Sequence, residues 1–323
     1  MRLKLIPDDT KFDFFNRSKL WLGISAVMIL LALVSVSIRG LNFGIDFRGG
    51  TTIRTESAQP VDIAAYRDAV AALDLGDVTI TEIFDPTFGS EQNVAMIRIQ
   101  AQDETSSVSQ ELITEVETAM TAAVPDIRFI SVESVGPKVS GELIKTAAIA
   151  VVLAIAAVLV YIWLRFEWQF AVGAVIALVH DVALTIGIFS EVGIRFDLAI
   201  IAALLTIVGY SLNDTVVVFD RVRENLRKYK QMPLKDVLNL SINETLSRTL
   251  MTSGTTLIAL IALLVLGGDV IRGFVFAMTW GVIVGTYSSI FVASAMLLRL
   301  GVKRDWSKSG PKNTGNKFAD IDA

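Results

Sequence analysis

The chain alternates between long apolar runs and one polar stretch. Leu20–Ile38, Thr146–Trp163, Trp168–Phe189, Leu198–Phe219, Leu250–Leu266 and Gly273–Leu298 each hold enough consecutive apolar residues to meet the ~20 that a spanning helix needs. They predict six membrane spans. Between the first and second spans, the pattern changes to short strands and amphipathic helices. Thr51–Thr55, Val78–Phe84, Val94–Ile99 and Ile127–Val135 read as strands, while Asp62–Leu73 and Ser106–Ala123 each carry one apolar helical stripe. A turn-rich stretch, Asp85 to Gly89, separates the middle two strands. The order is βαββαβ. The expected fold is therefore a polytopic α-helical membrane protein with six transmembrane helices and a ferredoxin-like α+β domain at residues 39–142.

Composition supports the bilayer as the main solvent, with 53% hydrophobic and 19% charged residues among 323 and a mean hydropathy of +0.57. Charge sets the orientation. Five Lys and Arg precede the first span, seven lie between Asp220 and Arg248, and six follow from Arg299, whereas residues 39–142 hold seven against 17 Asp and Glu. The positive-inside bias then places both termini and the 220–248 loop in the cytoplasm and the α+β domain in the periplasm. The expected organisation is a cytoplasmic segment 1–19, an uncleaved span 20–38, the domain, spans through 143–298, and a disordered cytoplasmic tail 299–323. Zero cysteines and one histidine argue against disulfides, thiol chemistry and a metal centre, so no cofactor is expected.

Candidate chemistry lies inside the spans. Asp214 follows Tyr210 and Asn213 in an otherwise aliphatic helix, where an acid costs at least ~2.5 kcal/mol unless it is protonated or paired. Thr206, Tyr210 and Asp214 share a face at i, i+4 and i+8. The acid serves either a proton pathway or a polar helix contact near the cytoplasmic boundary. Arg248 heads the fifth span as the natural counter-charge, with Thr252, Thr255 and Thr256 in a polar stripe below it; alternatively it snorkels. In the third span Gly173, Ala177, Asp181 and Thr185 recur every fourth residue. Asp181 is open between structure and relay, and His180 reads as a structural hydrogen-bonding group. Gly273, Ala277, Gly281, Gly285, Ser289 and Ala293 form a small-residue stripe suited to close packing. After the first span, Gly44, Gly49 and Gly50 allow tight turns, with Asp46 and Arg48 available to lock them.

At Gly44–Thr51, the chain resembles the SecF family of bacterial protein-export subunits, within the resistance-nodulation-division superfamily. His180-Asp181, Gly209–Thr215 running to Asp220–Asn225, and Leu240–Thr249 carry the same resemblance in the same order. It implies a heterodimer with SecD, association with the SecYEG channel and YajC, and late export of unfolded polypeptides driven by the proton motive force. By position it assigns Asp214 and Arg248 to a proton pathway, with a further acid expected from SecD. Polypeptide and membrane lipid are the expected partners, not nucleic acid. The rival readings are a proton-coupled small-molecule exporter and a non-transporting scaffold. Orientation is directly testable: an Asp103→Cys variant of this cysteine-free chain should label only from the periplasmic side, and labelling only from the cytoplasm would reverse the topology.

Overall fold

Each apolar run becomes a helix, and most of the helices outrun the apolar run that predicts them. The computed structural model describes residues 10–73, 75–84, 93–101 and 110–302. In chain order these form α1 (Ser18–Arg39), the single turn α2 (Ile45–Arg48), β1 (Gly50–Ser57), α3 (Ile63–Ala71), β2 (Val78–Ile83), β3 (Asn93–Gln100), α4 (Gln110–Ala123) and β4 (Arg128–Val135). There follow α5 (Pro137–Arg165), α6 (Trp168–Val192), α7 (Leu198–Lys228), α8 (Leu234–Leu266), α9 (Asp269–Ser288), a π-helical turn (Ser289–Ala293) and α10 (Ser294–Leu300). Among the described residues, six helices are long and apolar enough to cross a membrane, the sixth running from α9 through α10. The turn expected at Asp85–Gly89, the start of the helix expected from Ser106, and the tail from residue 303 lie outside the described residues.

The segment 220–248, expected as a loop, is a helical hairpin: α7 continues to Lys228, and α8 begins at Leu234 after Pro233. Hydropathy reads only the apolar length and misses helices that leave the membrane. Here Val218, Val222 and Leu226 recur every fourth residue and pack with Leu238, Ile242 and Leu246 of the facing helix. Phe12 and Asn243 exchange two hydrogen bonds, both 2.9 Å, which fastens the N-terminal segment to the same hairpin.

The four strands form one antiparallel sheet in the order β2-β3-β1-β4. Strand alternation divides its faces. Ile53, Ile80, Ile97 and Ile99 pack under Tyr66 and Val70 of α3 and Val116 and Met120 of α4. The opposite face carries Ile83, Val94 and Met96 and is turned to the bundle, where Arg195 Nη1 lies 3.4 Å from Met96 Sδ.

Within the bundle α6 and α9 are the most enclosed, while α1, α5 and α8 present most of their side chains outward. Small residues set the closest approaches. A Cβ at Gly281 would overlap Ile207, and one at Gly285 would sit 3.1 Å from Ser211 Cβ, so the stripe on α9 seats α7. A Cβ at Gly187 would collide with Ala32 Cβ and come within 2.8 Å of Ala32 Cα, which is backbone and cannot turn away. Gly187→Ala should therefore displace α1 and lower stability by roughly 1–3 kcal/mol. Gly281→Ala should cost less, because it meets the Ile207 side chain and no backbone atom; thermal melts of the two variants in detergent check that order.

Candidate functional site

An acid inside an apolar bundle is tolerated only where other polar groups meet it. Asp181 on α6 is such an acid, fully buried. Its Oδ1 is 2.9 Å from His180 Nδ1, and its Oδ2 accepts hydrogen bonds from Ser211 of α7 (2.6 Å) and Ser288 of α9 (2.8 Å). His180 stacks on Tyr287. Neighbouring residues of one helix thus turn toward each other, although their helical positions are about 100° apart. One turn deeper, Thr215 and Ser289 join α7 to the π-helical turn at 2.9 Å. A π turn inserts one residue into the helical ladder, and this one begins at Ser289, with Ser294 Oγ donating to the Ser289 carbonyl.

Asp214 lies three residues beyond Ser211 and faces α8 instead. It is 8% exposed. Thr249 Oγ1 donates to its Oδ1 at 2.7 Å, and its Oδ2 is buried without a partner. Tyr210, one turn before it, reaches Thr256 Oγ1 at 3.1 Å, so Tyr210 and Asp214 do share the α8 face. Thr206 does not join them, bonding back to Ala202.

The polar stripe on α8 keeps Thr256 from the one expected and otherwise shifts by one residue. Thr249, Ser253 and Thr256 face inward, with Ser253 on Thr286 of α9 at 2.7 Å, whereas Arg248 and Thr252 are exposed. Arg248 forms no ion pair with Asp214. It stands instead on an open cleft of about 520 Å³ with Asn213, Asp220, Arg221, Glu244 and Thr245. The i+4 series Thr245, Thr249 and Ser253 was the signal available in the sequence. The conspicuous charge of Arg248 drew attention to the adjacent face.

The glycine motif occupies the junction of domain and bundle. Gly49 and Gly50 have φ of 77° and 132°, values that side chains disfavour. A Cβ at Gly50 would also strike the Ile99 carbonyl, and one at Gly49 would lie 3.2 Å from Pro137 at the head of α5. Gly44 N–H donates to the Phe196 carbonyl at 2.8 Å. Asp46 does not lock onto Arg48, which is exposed and in no ion pair; its Oδ2 accepts the Leu198 N–H at 2.9 Å and caps the start of α7. The exposed N–H groups of a helix start make it the better partner for a carboxylate.

Comparison with known proteins gives these positions a context. Residues 115–303 match the profile of "Protein export membrane protein SecD/SecF, C-terminal", and residues 34–61 that of "SecD/SecF GG Motif". Protein translocase subunit SecF of Cereibacter sphaeroides is 62% identical over 100% of this chain and 99% of its own length. The protein of the same name from Vibrio alginolyticus is 41% identical over 94% of both. The crystal structure of SecDF from Thermus thermophilus, described as translocon-associated, superposes with a TM-score of 0.79 at 35% identity, covering 93% of this chain. A SecDF structure in a super-membrane-facing form gives 0.67 at 36% identity over 90% of this chain. The chain spans 39% of each of those SecDF chains. On the profile over residues 115–303 and relatives matched end to end, the chain belongs to the SecF family of protein-export membrane subunits.

Proposed function

We propose that this export subunit works with a SecD partner beside the SecYEG channel and YajC, using the proton motive force to help unfolded polypeptides across the inner membrane late in export. The observation that carries the reading is Asp214. It is a buried carboxylate with one oxygen on Thr249 and the other without a partner. Gain or loss of a proton there changes the cost of keeping α7 against α8, because an ionised acid in such a site lacks compensation. Arg248, across the cleft and out of ion-pair contact, is the cation that a second packing would bring to it. A proton crossing 100 mV releases ~2.3 kcal/mol, enough to bias two packings but small against moving a whole polypeptide. Export then takes repeated cycles, with the remaining acid supplied by SecD.

The positive-inside bias supports periplasmic placement of the α+β domain and cytoplasmic termini. Its βαββαβ order and β2-β3-β1-β4 sheet support the ferredoxin-like assignment. Motion in the spans reaches the domain through two rigid joints. One is the glycine pair with the Asp46 cap. The other is a reciprocal pair of hydrogen bonds between Phe84, at the end of β2, and Asp269, at the start of α9, at 2.6 and 2.8 Å.

Asp214→Asn keeps shape but carries no exchangeable charge, so it should assemble normally and melt no lower than the parent while abolishing proton-driven export from inverted vesicles. Wild-type export rates at normal subunit levels would make Asp214 structural. Arg248→Lys should reduce export, because a planar fork differs from an ammonium in its match to a carboxylate; full activity would return Arg248 to topology alone.

Asp181 should behave differently. Asp181→Asn turns an amide toward two hydroxyl donors or the imidazole and should destabilise by roughly 1–3 kcal/mol. Thermal unfolding separates the roles: a loss at residue 181 without one at 214 fits a structural Asp181 and a working Asp214.

A further inference from the structure

A cleft of about 420 Å³ opens where the domain meets the ends of the spans. Arg98 of β3, Arg195 of the α6–α7 connection, and the apolar Leu264, Val270, Phe274 and Phe276 are among its lining residues. Three arginines and two carboxylates line it, and two of the arginines are matched. Arg272 pairs with Asp269, and Arg195 Nε approaches Asp197 Oδ2 at 3.7 Å, too long for a hydrogen bond. Among the described residues Arg98 forms no ion pair, although the charge of Asp197 acts on it; its Nη2 reaches Met96 Sδ at 3.1 Å, a weak acceptor. Arg98 Nε and Arg195 Nε are both buried without a hydrogen-bond acceptor.

We propose that this cleft holds the phosphate of an anionic phospholipid headgroup, gripped by Arg98 and Arg195. Two guanidinium groups lining one cleft, each with a buried Nε that has no acceptor, fit a group with several anionic oxygens. Burial, and then the neighbouring Arg195, lower the Arg98 pKa to about 10 against the opposing charge of Asp197, which leaves it cationic at neutral pH.

Depth and the apolar part of the lining favour lipid over a free anion or an acidic peptide. The cleft's bundle residues all lie within about two turns of a span terminus, the level at which headgroups sit. Val265, Leu266 and Val270 beside it are exposed apolar residues. Acyl chains can therefore run down the outer surface while the phosphate enters between the arginines. The site does not depend on proton use by Asp214, so either reading can fail alone.

Native mass spectrometry of the full chain, released from micelles supplemented with phosphatidylglycerol or phosphatidylcholine, tests the site. The parent should retain phosphatidylglycerol in preference to phosphatidylcholine. Arg98→Gln should retain it about tenfold more weakly, as expected for the loss of one charge-assisted hydrogen bond. Arg128→Gln, on the exposed edge strand β4 and away from the cleft, should match the parent. If Arg98→Gln does not fold, Arg195→Gln carries the same expectation. Equal retention of both lipids, or unchanged retention in the arginine variants, would overturn the proposal. So would displacement of the lipid by inorganic phosphate or by a soluble acidic peptide at equal concentration, which would assign the cleft to a free anion or to polypeptide.

Discussion

Asp181 is the point on which the membrane bundle turns. A fully buried carboxylate in an apolar bundle holds its place only if its acceptor sites are filled, and three helices fill them: His180 on its own helix, Ser211 on α7 and Ser288 on α9. Those helices must lie close enough for 2.6–2.8 Å hydrogen bonds, so small residues line the same contacts. Gly285 sits over Ser211, and Gly173 approaches the Ala293 carbonyl, where a Cβ would stand 3.1 Å away. Polar satisfaction and close packing are thus one constraint.

Against this fixed centre, Asp214 is set apart by what it lacks. It shares α7 with Ser211 but faces α8, where a single threonine meets it. One acid has both oxygens partnered and holds helices together; the other has one oxygen without a partner and sits between helices that meet a cleft on the domain-distal side.

The domain is joined to the bundle through backbone geometry and helix-start hydrogen bonds. Gly49 and Gly50 bring β1 past α5 where no Cβ fits, Asp46 ties the same turn to the start of α7, and Asp269 ties β2 to the start of α9. The two helices that carry Ser211, Asp214 and Ser288 are therefore, with α5, among those whose ends touch the domain. The arginine-lined cleft opens between these joints, so a headgroup bound there would sit on the path between bundle and sheet.

The span count, the alternation of the four strands and the orientation bias were legible in the sequence, because each depends on a periodicity or a composition that survives without neighbours. So was the abnormality of Asp181 and Asp214, since an acid in an aliphatic run is costly wherever the run packs. The hairpin at 220–248 was not, because its apolar residues number too few for a span and show their purpose only against the facing helix. Nor was the choice of partners. Arg248 and Thr249 differ by about 100° around α8, and only the rotation of that helix against α7 decided that the neutral hydroxyl, not the charge, meets Asp214. Similarly, Asp46 and Arg48 look paired along the chain, yet the start of α7, some 150 residues away, offers unsatisfied N–H groups that a carboxylate prefers. Sequence determined which groups require partners; tertiary structure alone decided which partners they found, because hydrogen bonds act over 3 Å and helix rotation is set by the packing of the whole bundle.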